Sequence, residues 1–293
     1  MFKKYYFILL SIIFVVTLVI GSFYDFQINQ AIFSNRNAFG IFMAALGEWP
    51  FYSLTVFLGA YLITCAFKYF KKDTKRLLYH NVACGILGIA LGGYYQGNAI
   101  TNANGYNVSG PAKFWLFVVG FILMIPGVLL GIYAARKNNE KKYWRLAFYL
   151  LFAIAMSILV VTVIKEIMHR PRFRFLVTED IVPYLNWWEP CLNYKSYLGL
   201  AVAEDFKSFP SGHAVSGTCL IALPYVPRLY GMKNPRKTQI SLGIFAILYS
   251  FLLSFTRMLV GAHFLSDISI GTLLTLIIFA IFVYIIDRFK LLD

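Results

Sequence analysis

Long apolar segments recur along almost the whole chain, and they decide what it can fold into. A helix needs about 20 consecutive apolar residues to cross the roughly 30 Å hydrocarbon layer of a bilayer. Hydrophobic residues make up 59% of the 293 residues and charged residues only 14%, which excludes an ordinary soluble domain. The sequence therefore predicts an all-α, polytopic membrane helix bundle of about eight transmembrane helices. We place the spans near residues 5–22, 50–68, 78–98, 114–134, 146–164, 213–229, 239–257 and 264–286.

The basic residues alternate from loop to loop. Of the 27 Lys and Arg residues, 18 lie in the N-terminus and in segments 68–76, 136–145, 228–237 and 288–290, and 9 lie in the alternate loops. Because cytoplasmic loops carry the excess of positive charge, both termini are predicted to be cytoplasmic. The net charge of +14 fits this orientation and contact with anionic membrane lipids. No nucleic-acid-binding motif is present, so we expect no nucleic-acid partner. From the spans and their orientation we expect a multi-pass protein of the plasma (inner) membrane.

No gap between the apolar segments is large enough for a soluble domain, so residues 1–293 are predicted to form a single membrane domain. The longest loop, from about 165 to 212, is predicted to lie outside the cytoplasm. Its Trp187 and Trp188 are either interface anchors or contacts to a substrate. The four cysteines, Cys65, Cys84, Cys191 and Cys219, show no paired spacing and indicate neither a disulfide framework nor a zinc site. The sequence does not indicate an oligomeric state.

Three polar segments fall at the ends of predicted spans on one membrane face. They are KEIMHRPRF at 165–173, PSGH at 210–213 and TRMLVGAHFLSD at 256–267. Ionisable groups near a bilayer are costly and usually functional. The groups that this arrangement is expected to bring together are Lys165, Arg172, His213, Arg257, His263 and Asp267.

The cations in this set favour an oxyanion over a metal ion. Lys165, Arg172 and Arg257 would repel a metal, whereas Arg offers a planar fork and Lys a point charge to phosphate oxygens. Ser211 can cap the following helix, and Gly212 lets the backbone approach a ligand closely. The sequence therefore predicts a phosphate site that needs no metal and no organic cofactor.

The two histidines of the set can supply chemistry at such a site. His263 and Asp267 are four residues apart, on one helix face, so the carboxylate can hold one ring nitrogen protonated and leave the other free to attack phosphorus. His213, on a different span, can protonate the departing oxygen and later deprotonate a water molecule.

The three segments strongly resemble the type 2 phosphatidic acid phosphatase superfamily, whose signatures run KX6RP, PSGH and SRX5HX3D. There are two departures, since Phe173 stands where the family has Pro and Thr256 where it usually has Ser. The resemblance marks residues 146–293 as the catalytic core. The typical family core has six spans, so residues 1–145 are expected to carry an extra helix pair.

The resemblance also implies roles for single residues. His263 would be the nucleophile, His213 the acid and base, and Asp267 the group that orients the nucleophile. The phosphate-binding groups would be Lys165, Arg172, Ser211, Gly212 and Arg257. Arg170 and Arg174 are expected to contact lipid headgroups, and His169 is expected to be a loop or interface residue.

By this resemblance the protein would be a metal-independent phosphatase with a phosphohistidine intermediate. Its substrate would be a lipid phosphate or lipid pyrophosphate at the extracytoplasmic face. Phosphatidate, phosphatidylglycerophosphate, a polyprenyl pyrophosphate and a sphingoid phosphate all present a similar anion. Transfer to an acceptor other than water is one rival. Two others fit less well: an anion transporter is expected to bind at the bilayer midplane, and a vanadate-dependent haloperoxidase is normally soluble.

Overall fold

The computed structural model describes residues 4–70, 74–102, 110–178, 182–198 and 202–291, and this part of the chain is helical without any strand. The polar N–H and C=O groups of a membrane-spanning segment must be paired within the segment, which helices achieve. The helices are α1 (Lys4–Ile32), α2 (Ala38–Leu46), α3 (Trp49–Tyr69), α4 (Lys75–Thr101), α5 (Pro111–Ile122), α6 (Ile125–Lys137), α7 (Tyr143–Met168), α8 (Phe173–Thr178), α9 (Gly212–Cys219), α10 (Val226–Leu229), α11 (Arg236–Leu259) and α12 (Leu265–Arg288).

Seven helical stretches of the described residues are long and apolar enough to cross a membrane, by length and composition. They correspond to seven of the predicted spans, and the polytopic helical bundle is confirmed. The stretches are Phe7–Ile32, Ala38–Tyr69, Lys75–Thr101, Pro111–Lys137, Tyr143–Thr178, Arg236–Leu259 and Leu265–Arg288.

The predicted span at 213–229 differs, because it is not one continuous α-helix. It consists of α9, a 3₁₀ segment at Leu220–Tyr225, and α10. Pro224 lies inside the 3₁₀ segment and Pro227 in the first turn of α10. Proline lacks the N–H that an α-helix needs and clashes with the preceding turn, so it interrupts the helix. The segment is nevertheless almost entirely buried, which places it in the centre of the bundle.

Helix α1 is longer than predicted and ends at Ile32. The added turns carry Asp25 and Asn29, which are almost completely buried. The short helix α2 was not predicted; Asn37 caps it by accepting a hydrogen bond from the backbone N–H of Gly40 at 2.8 Å. These two segments bring polar groups of the N-terminal half beneath the loop between α7 and α9.

The helices form a central group and an outer pair. Helix α12 packs against α1, α7 and α9, while α11 packs against α9 and α3 packs against α7. Helix α4 and the broken helix α5–α6 pack chiefly on α3 and on each other. At the α3–α4 contact a Cβ added to Gly59 would lie 2.7 Å from the carbonyl oxygen of Gly85, so only small residues allow this separation.

The loop between α7 and α9 is ordered around its own small apolar cluster, formed by Phe175, Val182, Cys191 and Phe206. Trp187 donates a hydrogen bond from Nε1 to Ser22 Oγ of α1 at 2.9 Å. Other bonds fasten the loop to α7 and to the turn between α11 and α12. The loop is thus fixed over the ends of the central helices, and Trp187 is one of its attachments.

Candidate active site

The structure brings the three polar segments together at one end of the central helices. Lys165 lies in the last turn of α7, His213 in the first turn of α9, and Arg257 in the last turn of α11. His263 lies in the turn between α11 and α12. The ring centroids of His213 and His263 are 6.0 Å apart. Residues separated by about a hundred positions therefore meet in one site, as the sequence predicts.

The imidazole of His263 is buried and held in one orientation. Its Nδ1 lies 2.6 Å from the carbonyl oxygen of Ser208, which can only accept a hydrogen bond. We therefore assign the proton to Nδ1, which leaves the lone pair of Nε2 available. Burial lowers the pKa of His263 to about 3, although Asp267 opposes the effect. The ring is thus held in the neutral form.

Asp267 acts on His263 less directly than the spacing predicts. Its Oδ2 lies 3.9 Å from Nδ1 of His263, which is beyond hydrogen-bond distance. Instead Oδ2 accepts from Ser208 Oγ at 2.5 Å and from the backbone N–H of Phe264 at 2.8 Å. Ser208 connects the two, since its hydroxyl bonds the carboxylate and its carbonyl bonds the imidazole. No motif spacing indicates a role for Ser208.

Arg170 belongs to the support of the site, and the expectation that it contacts lipid headgroups is wrong. Its side chain is fully buried, and it donates to Asp267 at 2.6 Å and to Asp25 at 3.1 Å. The guanidinium also lies 4.1 Å from the ring centroid of Phe264. Asp25 further accepts from the backbone N–H of Ser266 at 3.0 Å. Two carboxylates from α1 and α12 therefore share one buried cation.

The three predicted phosphate-binding cations line the same space. Lys165 Nζ donates to the carbonyl oxygen of Lys207 at 2.7 Å. Arg172 pairs with the exposed carboxylate of Glu204. Arg257 is buried and donates from Nη2 to the carbonyl oxygen of Gly40, but its Nε has no hydrogen-bond partner among the described residues. A buried donor of this kind is satisfied if an anion binds.

The start of α9 completes this arrangement. Ser211 caps the helix by accepting from the backbone N–H of Ala214 at 3.2 Å. The first N–H groups of a helix have no partner within it and favour an anion. A Cβ added to Gly212 would meet only Lys165 Cε, at 3.9 Å, so the backbone of Gly212 is accessible beside the cation. A Cβ on Gly271 would lie 2.7 Å from the carbonyl oxygen of Ser211, which shows how closely α12 approaches this turn.

Residues 146–291 match the family model described as the PAP2 superfamily. The chain belongs to this superfamily. No solved structure matches the chain significantly. PAP2 membership indicates a phosphatase-type enzyme, and the matched region contains all three polar segments.

Both departures from the PAP2 signatures have a structural context. Phe173 is buried in an aromatic group and makes edge contacts with Phe26, Phe33 and Phe264, with ring centroids 5.3 to 6.0 Å apart. Thr256 is buried and donates from its hydroxyl to the carbonyl oxygen of Leu253 at 2.7 Å. Neither position carries a group that faces the two histidines, so neither departure removes a charged or nucleophilic group from the site.

One residue close to the reacting groups lies outside the region that matches PAP2. Glu48, between α2 and α3, places Oε2 at 3.7 Å from Nε2 of His213. No motif spacing points to Glu48. A carboxylate at the membrane-embedded start of α3 is itself a signal, because ionisable residues in such positions are usually functional. Among the described residues no group of three or more His, Cys, Asp or Glu side chains is placed to hold a metal ion.

Proposed function

We propose that this PAP2 protein is a metal-independent phosphatase that removes the terminal phosphate of a lipid phosphate or lipid pyrophosphate through a phosphohistidine intermediate. The observation that carries the proposal is the state of His263. Its Nδ1 is occupied by the Ser208 carbonyl at 2.6 Å, so Nε2 is the free nucleophilic atom. A second histidine and two cations, Lys165 and Arg172, lie around it. Covalent catalysis needs this combination of an oriented nucleophile and an adjacent acid.

In the first half of the proposed reaction the lone pair of His263 Nε2 forms a bond to phosphorus. The bond between phosphorus and the bridging oxygen breaks, and its electron pair stays on that oxygen. Protonated His213 gives its proton to the oxygen, so the lipid leaves as an alcohol, or as a lipid phosphate when the substrate is a pyrophosphate. Lys165, Arg172 and Arg257 stabilise the negative charge on the remaining oxygens of the transferring group.

In the second half a water molecule attacks the phosphohistidine. Its oxygen forms a bond to phosphorus while one of its protons passes to His213, which returns to the protonated form. The bond between phosphorus and Nε2 breaks, and the electron pair returns to His263. Inorganic phosphate leaves, and the protein is restored without any redox change or external cofactor.

Exposure supports a substrate that enters beside His213. The side chain of His213 is 22% exposed, whereas that of His263 is 2% exposed. The site lies at the ends of the spans, where a phosphate headgroup can reach it while the acyl chains stay in the bilayer. Because the loops that carry the site alternate with the basic loops, we propose that it faces the extracytoplasmic side of the plasma (inner) membrane.

The proposal is tested with purified protein in detergent micelles containing EDTA. The panel consists of phosphatidate, phosphatidylglycerophosphate, a polyprenyl pyrophosphate and a sphingoid phosphate, with release of inorganic phosphate as the readout. We expect release from at least one lipid, no stimulation by magnesium, and no release by His263→Ala. Vanadate should compete with the substrate, because it adopts the five-coordinate geometry of a transferring phosphoryl group. Activity that is lost in EDTA and restored by magnesium would contradict the proposal.

A further inference from the structure

The side chain of Glu48 is held firmly beside the proposed acid. Ser216 Oγ donates to Oε1 at 2.6 Å, and the Tyr52 hydroxyl donates to Oε2 at 2.9 Å. The residue is only 8% exposed. Burying a carboxylate costs free energy unless its oxygens are paired, and here both oxygens accept a hydrogen bond. The arrangement fixes Oε2 at 3.7 Å from Nε2 of His213.

The charges around His213 make such a carboxylate necessary. Lys165, Arg172, Arg257 and the ring of His263 all face His213. The acid role requires His213 to carry a proton, and the cations Lys165, Arg172 and Arg257 repel the resulting positive charge. Glu48 itself also faces Arg257 and Lys165. Among the described residues, Glu48 is the carboxylate that pairs with His213.

We propose that Glu48 is a positioning residue that orients His213 and stabilises its protonated form for donation to the leaving oxygen. Glu48 does not contact the phosphoryl group, and it acts through His213 alone. This inference rests on the proposed function, in which His213 is the proton donor. It gives the N-terminal half of the chain, outside the PAP2 match at 146–291, a part in the reaction.

A second contact from the same segment supports this assignment. We call residues 38–52 the N-terminal elbow; it comprises α2, the following turn and the start of α3. The carbonyl oxygen of Gly40 accepts from Arg257, and that of Gly47 accepts from the Tyr249 hydroxyl at 2.9 Å. The elbow is therefore attached to α11 at two positions, both of which precede Glu48 in the chain. This attachment fixes the carboxylate relative to the catalytic helices.

The experiment compares leaving groups in Glu48→Gln, which keeps the size of the side chain and removes its charge. Single-turnover formation of phosphohistidine is measured with a lipid phosphate, whose alkoxide needs a proton, and with an aryl phosphate, whose phenoxide leaves without one. We expect the rate with the lipid phosphate to fall about 10- to 100-fold, which is part of the usual contribution of a general acid. The rate with the aryl phosphate should change by less than about threefold, because that step does not use the proton.

Two variants make the comparison specific. Glu48→Asp keeps the charge on a shorter side chain, so its ratio of aryl to lipid rates should lie nearer the wild type than that of Glu48→Gln. Glu140→Gln removes a carboxylate that is 57% exposed in the loop between α6 and α7, and it should leave both rates unchanged. If Glu48→Gln does not accumulate in the membrane, the test uses the ratio of aryl to lipid phosphate rates in Glu48→Asp. A ratio equal to that of the wild type supports the role of the charge, and a ratio raised tenfold or more contradicts it.

The outcomes separate this inference from the proposed function. Equal losses with both substrates in Glu48→Gln would indicate structural damage alone and overturn the positioning role, as would wild-type rates with both. If the wild-type protein forms no phosphohistidine with either substrate, the proposed function fails, and the inference fails with it. If the wild type forms phosphohistidine, and the ratio of aryl to lipid phosphate rates is the same in Glu48→Gln as in the wild type, the inference is wrong but the proposed function stands.

Discussion

The carbonyl oxygen of Ser208 accepts a hydrogen bond from Nδ1 of His263 at 2.6 Å, closer than the carboxylate of Asp267 at 3.9 Å. The backbone of the loop between α7 and α9 therefore determines which ring nitrogen of His263 is free. Asp267 contributes by holding the Ser208 hydroxyl, and so by holding the loop in place. Nucleophile, loop and carboxylate form one connected unit, in which a change at Asp267 reaches His263 through Ser208.

This connection predicts graded effects of two substitutions. Ser208→Ala removes the hydroxyl that bonds Asp267 but keeps the carbonyl that bonds His263, so we expect kcat to fall by about 10- to 100-fold, as for other supporting hydrogen bonds. Asp267→Asn should cost more, because it weakens the bonds to Ser208, Phe264 and Arg170 together. The rate of phosphohistidine formation by each variant is the measurement. Wild-type activity in Ser208→Ala would show that the loop is held by other contacts.

The buried group of Asp25, Arg170 and Asp267 predicts a separate effect on stability. Asp25→Asn leaves the Arg170 cation with one carboxylate where it had two. Loss of a buried hydrogen bond between charged groups costs about 1.5–3 kcal/mol of unfolding free energy, so the thermal unfolding midpoint in micelles should fall clearly. The ratio of aryl to lipid phosphate rates should stay at the wild-type value, because Asp25 does not contact His213.

Glu140→Gln is the matched control for Asp25→Asn. It removes a carboxylate whose pair with Lys142, at 3.4 Å, is largely exposed. Exposed pairs contribute roughly 0–1 kcal/mol, so the midpoint should hardly change. Equal midpoints for the two variants would show that the buried group does not stabilise the fold.

Most residues of the site can be predicted from the sequence, because each is marked by its local position in the chain. Lys165, Arg172, His213, Arg257 and His263 all sit at the ends of apolar segments, and the alternation of loops places those ends on one face. The spacing of His263 and Asp267 predicts that they are neighbours but not which oxygen contacts which nitrogen. That detail depends on how the loop carrying Ser208 packs over α12.

Other parts could not be predicted because they depend on packing between distant helices. The first predicted span ends at residue 22 and leaves Asp25 outside it, whereas α1 continues to Ile32. Asp25 and Glu48 are nevertheless the only acidic residues among the first 72. Isolated carboxylates in an apolar region usually have a functional partner, and this signal was available. The partner itself, Arg170 or His213, is visible only in the fold.

The pH dependence of the nucleophile follows from its burial. Because the pKa of His263 is lowered to about 3, its ring stays neutral far below the usual range. We expect the rate of phosphorylation by an aryl phosphate in His213→Ala not to fall as the pH decreases from about 8 to about 5, after correction for ionisation of the substrate. A histidine with a pKa of about 6.5 would be only about 3% neutral at pH 5, and the rate would fall roughly thirtyfold. A fall of that size would contradict the assigned state of His263.

The topology can be tested with introduced cysteines. The native Cys191 lies in the loop between α7 and α9 but is buried, and burial raises the pKa of its thiol, so it should react slowly with a thiol reagent. Leu192→Cys places a thiol at a position that is 87% exposed in the same loop. A membrane-impermeant maleimide should label Leu192→Cys in intact cells and Glu140→Cys only after permeabilisation. The reverse pattern would place the active site on the cytoplasmic side.

In the proposed reaction one histidine forms the covalent bond and the other moves protons, so the two should fail in different ways. His263→Ala removes the nucleophile, so both turnover and phosphoenzyme should be lost, with kcat lower by several orders of magnitude. His213→Ala should lower the rate of phosphohistidine formation from a lipid phosphate by roughly 10²- to 10⁴-fold, because the leaving alkoxide needs a proton. An aryl phosphate should still phosphorylate His263 in that variant.

Breakdown of the phosphoenzyme also needs His213, as the base that takes a proton from water. Rapid quenching with a labelled aryl phosphate should therefore show acid-labile phosphohistidine accumulating in His213→Ala and none in His263→Ala. The double variant should show none, which controls for labelling of other side chains. Label in His263→Ala but not in His213→Ala would exchange the two roles, and label in all variants would place the nucleophile elsewhere. The accumulation in His213→Ala is the decisive observation, because a residue that only supports the fold would not let an intermediate build up.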